Sequence, residues 1–260
     1  MPTVNTTPLT YQSYIQTVAT LAVIPLTTDG AGNVTTASNE FNLLVPQMLN
    51  YAELRIQRDL DLWALTINSS TYALTAGSNA LSVSIDDFVT VQNILYANGT
   101  VSTPLTPVSK EFIQAVYTDS SQTAPPAYFA PLGGDTATFG NTSLTFLVAP
   151  YPDQSYALSI VGTSRAPTLA QYAGTGQANS GTTFISSWLP DLLTMASMVF
   201  VSGYQRNFSS AGDDPQMAVN YEQQYQTLLK GAGIEEARKR FAASGWTSLN
   251  PTPIATADRK

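Results

Sequence analysis

Two adjacent carboxylate pairs, Asp86-Asp87 and Asp213-Asp214, are the side chains best suited to acid–base or metal chemistry. A glycosidase needs two carboxylates that face each other across the scissile bond. Asp86 and Asp87 lie in a segment that alternates like a strand, where neighbouring side chains point to opposite faces. Asp213-Asp214 precedes Pro215, which is the pattern of a helix start. Since neither pair has the alternating acidic positions of a calcium loop, both are predicted to be structural.

The segment GTGQANSG, residues 174–181, is the nearest approach to a phosphate-binding loop. It lacks the Gly-Lys-Ser/Thr ending of a P-loop and does not fit G-x-G-x-x-G, and no clear strand precedes it. We therefore predict an ordinary loop here.

The chain contains no cysteine and no histidine. Their absence removes thiolate nucleophiles, the usual proton shuttle and the commonest transition-metal ligands. A Ser-His-Asp arrangement is impossible, and no disulfide can stabilise the fold. Carboxylate pairs, Ser-Lys dyads and oxygen-ligated ions remain open on composition, and an enzyme that uses carboxylates is a third hypothesis. Because both carboxylate pairs are predicted to be structural, we predict no enzymatic activity, no cofactor and no metal site.

The net charge of −7 comes from 18 acidic and 11 basic residues. A nucleic-acid site needs clustered Lys and Arg, because phosphate neutralisation dominates its affinity. Six of the basic residues lie from Lys230 onward, and the cluster in 237–241 follows Glu235 and Glu236 at helical spacing, which favours ion pairs along the helix. Sequence-specific nucleic-acid binding is therefore not expected, and no apolar run reaches the length of a membrane span.

Charge is concentrated in YAELRIQRDLD, residues 51–61. Glu53, Arg55, Arg58 and Asp59 lie beside a predicted core stripe rather than on it. A solvated helix face is one interpretation of this edge. The other is a subunit interface, since Arg is favoured in partly buried ion pairs and charge is scarce elsewhere in the chain.

Helical spacing of apolar residues appears at both ends of the chain. The predicted helices cover residues 10–24, 40–63, 109–118, 184–208 and 215–241, the last interrupted at Gly231 and Gly233. Residues 27–40 are predicted to be a loop, with Ser38 or Asn39 as the next helix cap and Pro46 near that helix's start. Residues 184–208 are apolar on all sides, which predicts a central helix.

The middle of the chain alternates instead, as strands do. Residues 70–101 carry two hairpin signals, Ala-Gly-Ser-Asn at 76–79 and Ala-Asn-Gly-Thr at 97–100. Further predicted strands cover 127–132, 136–140, 143–150 and 156–165.

Segregated helices and strands predict an α+β fold, a helical bundle with an inserted antiparallel β domain. The predicted bundle comprises residues 1–65 and 184–245, the β domain 66–166 and a loop 167–183. Residues 246–260 are predicted to form an extended C-terminal arm.

Four stretches, taken in order, resemble the head-to-tail adaptor (connector) proteins of tailed bacteriophages. They are LLVPQMLNYAELRIQRDLDLWAL, LTAGSNALSVSIDDFVTVQNILYANGTVSTPLTPVSKEFI, LTFLVAPYPDQSYALSIVGTSRAPTL, and WLPDLLTMASMVFVSGYQ followed by NYEQQYQTLLKGAGIEEARKR. The likeness covers about residues 40–243, and it lies in structural rather than catalytic patterns.

The resemblance implies a structural virion protein of the neck, assembled in the host cytoplasm as a homo-oligomeric ring of twelve subunits. Such a ring docks on the portal protein, binds a tail or nozzle protein and extends the DNA channel for genome packaging and ejection. DNA would pass through the lumen without sequence-specific binding, and no membrane is involved. The candidate portal-docking residues are Trp246, Leu249 and Ile254 in the arm, and the candidate subunit-interface residues are Glu53, Arg55, Arg58 and Asp59.

A receptor- or carbohydrate-binding tail or surface module is the alternative, suggested by the Thr-, Ser- and Tyr-rich β part. The helices on both sides of that part argue against it, because a pure adhesin does not need them.

Overall fold

The computed structural model describes residues 8–30, 32–134, 143–173, 181–208 and 215–243. These residues form two compact units. Unit 1 contains the described residues up to Trp63 and from Thr168 onward, and unit 2 contains Ala64–Pro167. The predicted domain boundaries stay a prediction.

Seven α-helices and eleven strands occur in the described residues. The helices are α1 (Tyr11–Leu21), α2 (Asn39–Asp59), α3 (Lys110–Val116), α4 (Leu169–Ala173), α5 (Phe184–Trp188), α6 (Pro190–Phe208) and α7 (Pro215–Ala243). The strands are β1 (Leu26–Thr28), β2 (Val34–Thr36), β3 (Thr66–Ser69), β4 (Ala73–Leu74), β5 (Ala80–Ser84), β6 (Thr90–Asn98), β7 (Val101–Pro104), β8 (Thr106–Pro107), β9 (Tyr128–Gly134), β10 (Ser143–Ala149) and β11 (Tyr156–Thr163).

Polar side chains begin the helices of unit 1. The Ser38 hydroxyl accepts a hydrogen bond from the backbone N–H of Phe41 at 3.3 Å and so caps α2, as one of the two predicted caps. Thr10 and Ser13 form a reciprocal capping box at the start of α1. These bonds satisfy backbone donors that have no partner within the helix.

The helix α6 is central to unit 1, as its all-round apolar sequence predicts. It packs against α1, α2, α5 and α7. Leu193, Ala196, Met198 and Val201 are fully buried, and the buried hydroxyl of Tyr14 on α1 donates to Ser197 Oγ at 2.7 Å.

The helix α2 begins at Asn39, one residue before the predicted start, and ends at Asp59, with Pro46 inside it. Proline removes one backbone hydrogen bond within a helix. The turn before Pro46 is held by another contact, because the Asn42 amide donates to the Thr36 carbonyl and its oxygen accepts from the Thr36 N–H. Tertiary contact with β2 therefore compensates for a weak point in the helix.

The predicted interruption of the last helix at Gly231 and Gly233 is wrong, because α7 is continuous. Glycine costs about 1 kcal/mol relative to alanine inside a helix. Packing offsets this cost: a Cβ built at Gly233 lies 3.7 Å from Leu60 Cδ2, and the neighbouring Ala232 is buried.

Unit 2 is built from two sheets. One has the strand order β5-β10-β9-β8, and the other has β3-β11-β6-β7 with β4 also paired to β11. Apolar side chains from both sheets form one core: Leu74, Leu81, Val83, Phe88, Ile94, Tyr96, Leu105, Phe129, Phe146, Val148, Tyr156, Leu158 and Ile160. The opposite face of the first sheet is covered by α3, where Ile113 packs with Ala130, Leu147 and Ala149.

Only one of the two predicted hairpins forms. The signal at 97–100 joins β6 to β7, and Gly99 supplies the positive φ of +63° that the turn needs. The signal at 76–79 does not join a hairpin, because β4 pairs with β11 whereas β5 pairs with β10 in the other sheet. A local turn pattern does not specify which sheet receives the next strand.

The predicted fold class, a helical bundle with an inserted antiparallel β domain, is wrong. The chain is α+β, but unit 1 contains a sheet of its own: β1 and β2 form a hairpin in residues predicted to be a loop, and both strands pack against α1. In unit 2, β8 pairs with β9 in parallel. The Asp29-Gly30 turn flanked by threonine and valine accounts for the unpredicted hairpin, since these β-branched residues favour strands.

Candidate interaction site where the second and last helices of unit 1 meet

The charged edge of α2 faces α7, and Arg55 is at its centre. The Arg55 guanidinium donates to both carboxylate oxygens of Glu222, with Nη1–Oε2 at 2.9 Å and Nη2–Oε1 at 2.5 Å. It also lies over the ring of Tyr225, 4.1 Å from the ring centroid. Bidentate charge-assisted bonds and cation–π contact are both specific to a planar guanidinium. The Arg55 side chain is only 17% exposed, so little of it is left for another molecule.

Asp59 belongs to the same cluster. Its Oδ2 lies 3.6 Å from Arg55 Nε and accepts a hydrogen bond of 2.7 Å from the hydroxyl of Tyr225. Burial, together with this bond, raises the pKa of Tyr225 well above its ordinary value, so the phenol stays a donor. The bonds from Arg55 hold the pKa of Glu222 below its usual range. Arg55, Asp59, Glu222 and Tyr225, which we call the α2–α7 clasp, therefore form one network of ion pairs and hydrogen bonds.

Glu53 is separate from the clasp and fully buried. Its Oε2 accepts from the backbone N–H of Leu169, the first residue of α4, at 2.5 Å. Its Oε1 accepts from the hydroxyl of Thr183, the N-cap of α5, at 2.7 Å. Burial raises the pKa of Glu53, and the two hydrogen bonds partly oppose that rise. The carboxylate thus ties α2 to the starts of two other helices and exposes no surface.

Arg58 is the one predicted interface residue that points into solvent without joining the clasp. It is exposed, and its Nε donates to the carbonyl of Leu54 one turn earlier in α2, at 3.0 Å. The structure therefore brings Arg55 and Asp59 together, places Glu53 elsewhere in the interior and leaves Arg58 on the surface.

A second set of ion pairs joins the end of α2 to the C-terminal half of α7. Arg240 pairs with the Asp61 carboxylate at 2.5 Å and donates to the Asp61 carbonyl at 2.7 Å. The Glu236 carboxylate accepts from the Trp63 N–H at 2.9 Å and from Lys239 at 2.7 Å. The predicted ion pairing along this helix is confirmed for Glu235 and Lys239, which lie 2.8 Å apart, whereas Arg240 bonds across to Asp61.

Sequence reasoning missed Glu222 as the partner of Arg55. Glu222 precedes Tyr225 by three residues in the predicted last helix, so both face the same side. This spacing of Glu222 and Tyr225 is visible in the sequence, but it does not indicate that the two side chains contact α2.

Asp86 and Asp87 lie in the turn that follows β5, not in a strand as their alternating segment predicted. Asp87 accepts a hydrogen bond of 2.5 Å from the hydroxyl of Tyr72, and the Asp86 N–H donates to Ser84 Oγ, as expected of structural residues. Among the described residues, no three acidic side chains cluster as metal ligands would. No helix of the described chain is long and apolar enough to cross a membrane. Asp213-Asp214, most of 174–181, the predicted strand 136–140, and Trp246, Leu249 and Ile254 lie outside the described residues.

The ion pairs of unit 1 join its helices, and comparison with known families agrees with a structural role. The model of the SU10 adaptor protein family matches residues 9–251. The chain belongs to the SU10 adaptor protein family. SU10 adaptor proteins are structural proteins of bacteriophages and not an enzyme family, so this chain is a phage adaptor that associates with other virion components. No curated protein matches the chain.

Proposed function

We propose that this chain is a head-to-tail adaptor that forms a dodecameric ring, docks on the portal protein and connects the capsid to the tail in the virion neck. The observation that carries the proposal is the family match, which extends through both units from residue 9 to residue 251. A match of that extent concerns the whole architecture rather than a single shared motif.

The charge distribution supports a DNA channel as part of this function. The net charge is −7, and Arg55, Lys239 and Arg240 are each paired with a carboxylate of the same chain. Unpaired cations would hold phosphate groups, whereas an acidic wall repels them. Packaged DNA would therefore pass such a ring without being retained.

Within this proposal, Arg58 is the candidate subunit contact among the four residues predicted for the interface, because its side chain is exposed and lies outside the clasp. Glu53, Arg55 and Asp59 would act by holding the helix that presents it. Trp246, Leu249 and Ile254 remain the proposed portal-docking residues, in an arm that reaches residue 260.

Reconstitution with the portal protein of the same phage tests the proposal. The full chain is mixed with portal rings, and the products are separated by sedimentation and imaged by negative stain. We expect the portal ring to gain one additional ring layer, and a chain ending at Ala243 to lose that layer while it still folds. A full-length chain that neither closes into rings alone nor adds to the portal would refute the proposed function.

A further inference from the structure

Two buried carboxylates lie at the points where the chain leaves and re-enters unit 1. Among the described residues, Glu53 and Glu236 are the acidic side chains that are buried, at 0% and 7% exposure. The chain leaves unit 1 between Trp63 and Ala64 and returns between residues 167 and 168. We call these two points the outgoing crossing and the return crossing.

The outgoing crossing is anchored by Glu236. Trp63 begins a short 3-10 helix, and the first N–H groups of a helix have no acceptor within it. The Glu236 carboxylate accepts from the Trp63 N–H at 2.9 Å. Arg240, one turn later in α7, pairs with Asp61, two residues before Trp63. One stretch of α7 therefore holds the last residues of unit 1 before the crossing.

The return crossing is anchored by Glu53. Leu169 is the first residue of α4, so its N–H also lacks an acceptor within its helix, and Glu53 Oε2 accepts from it at 2.5 Å. The hydroxyl of Thr168, the first residue back in unit 1, donates to Asn50 Oδ1 at 2.6 Å. Since Asn50 and Glu53 lie one turn apart on α2, one face of α2 holds the chain as it re-enters unit 1.

Within unit 2 the two crossing segments are bonded to each other. The Ser164 N–H donates to the Leu65 carbonyl at 2.8 Å. Directly beyond them, Thr163 of β11 pairs with Thr66 of β3. The outgoing and return segments are therefore fixed side by side at the edge of unit 2.

Very few residues remain between the bonds on the two sides. They are Ala64 in the outgoing crossing and residues 165–167 in the return crossing. Pro167 has a fixed φ and disfavours the helical conformation at the residue before it, so the return crossing is itself restricted. Hinges consist of a few loop or terminal residues that absorb the change in backbone angles, and these residues fit that description.

We infer that the two crossings form a hinge, that its bending is confined to Ala64 and residues 165–167, and that Glu53 and Glu236 anchor it from the side of unit 1. Relative motion is the usual expectation for two units joined by short segments. A buried hydrogen bond to a carboxylate is costly to break, so the anchors keep that motion out of α2, α4 and α7. The inference concerns the single chain and does not depend on the proposed ring.

Spin labelling of the unassembled chain tests the hinge, because the native chain contains no cysteine that would compete for the label. Leu43→Cys in unit 1 and Val101→Cys in unit 2 each take a nitroxide, since both side chains are exposed, at 76% and 62%. Double electron–electron resonance then gives the distribution of distances between the labels. Glu236→Ala should broaden this distribution by about twofold or more, because Trp63 loses its anchor. An unchanged distribution would overturn the inference and leave the proposed function intact.

Two variants of α7 serve as matched controls. Glu235→Ala also removes an ion pair with Lys239, but Glu235 makes no bond to Trp63, so the distribution should stay as in wild type. Glu236→Gln keeps an oxygen that can accept from the Trp63 N–H and should also stay close to wild type. Equal broadening by Glu235→Ala and Glu236→Ala would show that the Lys239 ion pairs, and not the anchor, are responsible, and would contradict the inference.

A second label pair separates bending of the hinge from loosening of unit 1. Leu43→Cys and Val219→Cys both lie on exposed positions of unit 1. The distance distribution of this pair should be the same with and without Glu236→Ala. Broadening of this pair as well would show that unit 1 itself has loosened, and the hinge would be refuted.

Hydrogen exchange of the wild-type chain tests both anchors without a substitution. The amides of Trp63 and Leu169 should each exchange about tenfold or more slowly than the same amides in an unstructured peptide, because a buried carboxylate accepts from each. Exchange at the unstructured rate at either amide would contradict the anchor assigned to it.

Discussion

Arg55 belongs to the α2–α7 clasp and Arg58, one turn further along α2, does not. We therefore predict different effects on stability when each is replaced by alanine. Arg55→Ala removes a bidentate bond to Glu222 and a cation–π contact with Tyr225. Hydrogen bonds to charged groups contribute about 1.5–3 kcal/mol. Because Glu222 is 37% exposed, solvent screening reduces that contribution to about 1–2 kcal/mol.

The contact of the Arg55 guanidinium with the Tyr225 ring adds about 0.5–1 kcal/mol. The expected loss for Arg55→Ala is therefore about 1.5–3 kcal/mol of the unfolding free energy of unit 1. A loss of that size lowers Tm by about 3–12 °C for 150–250 residues. Arg58→Ala should change the unfolding free energy by less than about 0.5 kcal/mol, because Arg58 is exposed and both residues favour helices.

Thermal melting followed by circular dichroism measures both variants, and a double-mutant cycle with Glu222→Ala isolates the pair. We expect a coupling of about 1–2 kcal/mol between Arg55 and Glu222. Equal melting of the Arg55→Ala and Arg58→Ala chains, or zero coupling, would refute the assignment of Arg55 to an intramolecular clasp. If Arg58→Ala alone impairs ring assembly without a change in Tm, Arg58 is the subunit contact.

Three further predictions concern single residues. Burial raises the pKa of Glu53, so the protonated side chain favours the folded state. This contribution to stability is fully present below the pKa that Glu53 has in the unfolded chain. It is lost as pH rises through the pKa that Glu53 has in the folded chain. Thermal melting between pH 4 and 8 should therefore show the Tm of Glu53→Gln increasing relative to that of wild type as pH rises. A difference in Tm that does not change with pH would contradict this. Gly162→Ala places a Cβ against the Thr90 carbonyl oxygen and 2.8 Å from Phe88 Cδ1. Denaturant titration should therefore show a loss of about 1–3 kcal/mol or more in the free energy of unfolding. An unchanged midpoint of unfolding would contradict this prediction. Ser38→Ala removes the α2 cap and should cost about 1 kcal/mol in the same titration, whereas Ser38→Asp should retain most of the stability.

Local signals in the sequence predicted many of the elements. The Ser38 cap and the Asn98-Gly99 turn are each specified by residues within four positions of one another. The buried stripe of α2 was visible in the same way, because it repeats with the helical period. Such features depend on the backbone nearby and need no knowledge of the tertiary structure.

Contacts between distant residues were not predictable in this way. Arg55 and Glu222 are separated by 167 positions, and Glu53 meets Thr183 across 130 positions. A charged residue at the edge of an apolar helical stripe usually faces solvent, so the residues around Glu53 in the sequence did not indicate that it is buried. Its burial depends on Leu169 and Thr183, which offer two donors to a carboxylate that would otherwise stay in water.

The course of α7 and of the β strands was also decided by packing. Gly231 and Gly233 are weak helix residues, yet α7 continues through them because its neighbours Ala232 and Glu236 are buried. The turn at 76–79 has hairpin composition, but the core shared by two sheets accepts β4 on one side and β5 on the other. Tertiary burial outweighs local propensity in both cases.

A reconstruction of the phage neck tests the central claim most directly. We predict that density for this chain forms a ring layer between the portal protein and the tail, with both units enclosing or flanking the DNA channel. Absence of the chain from that layer, or its presence only on a distal tail or surface structure, would contradict the assignment as a head-to-tail adaptor.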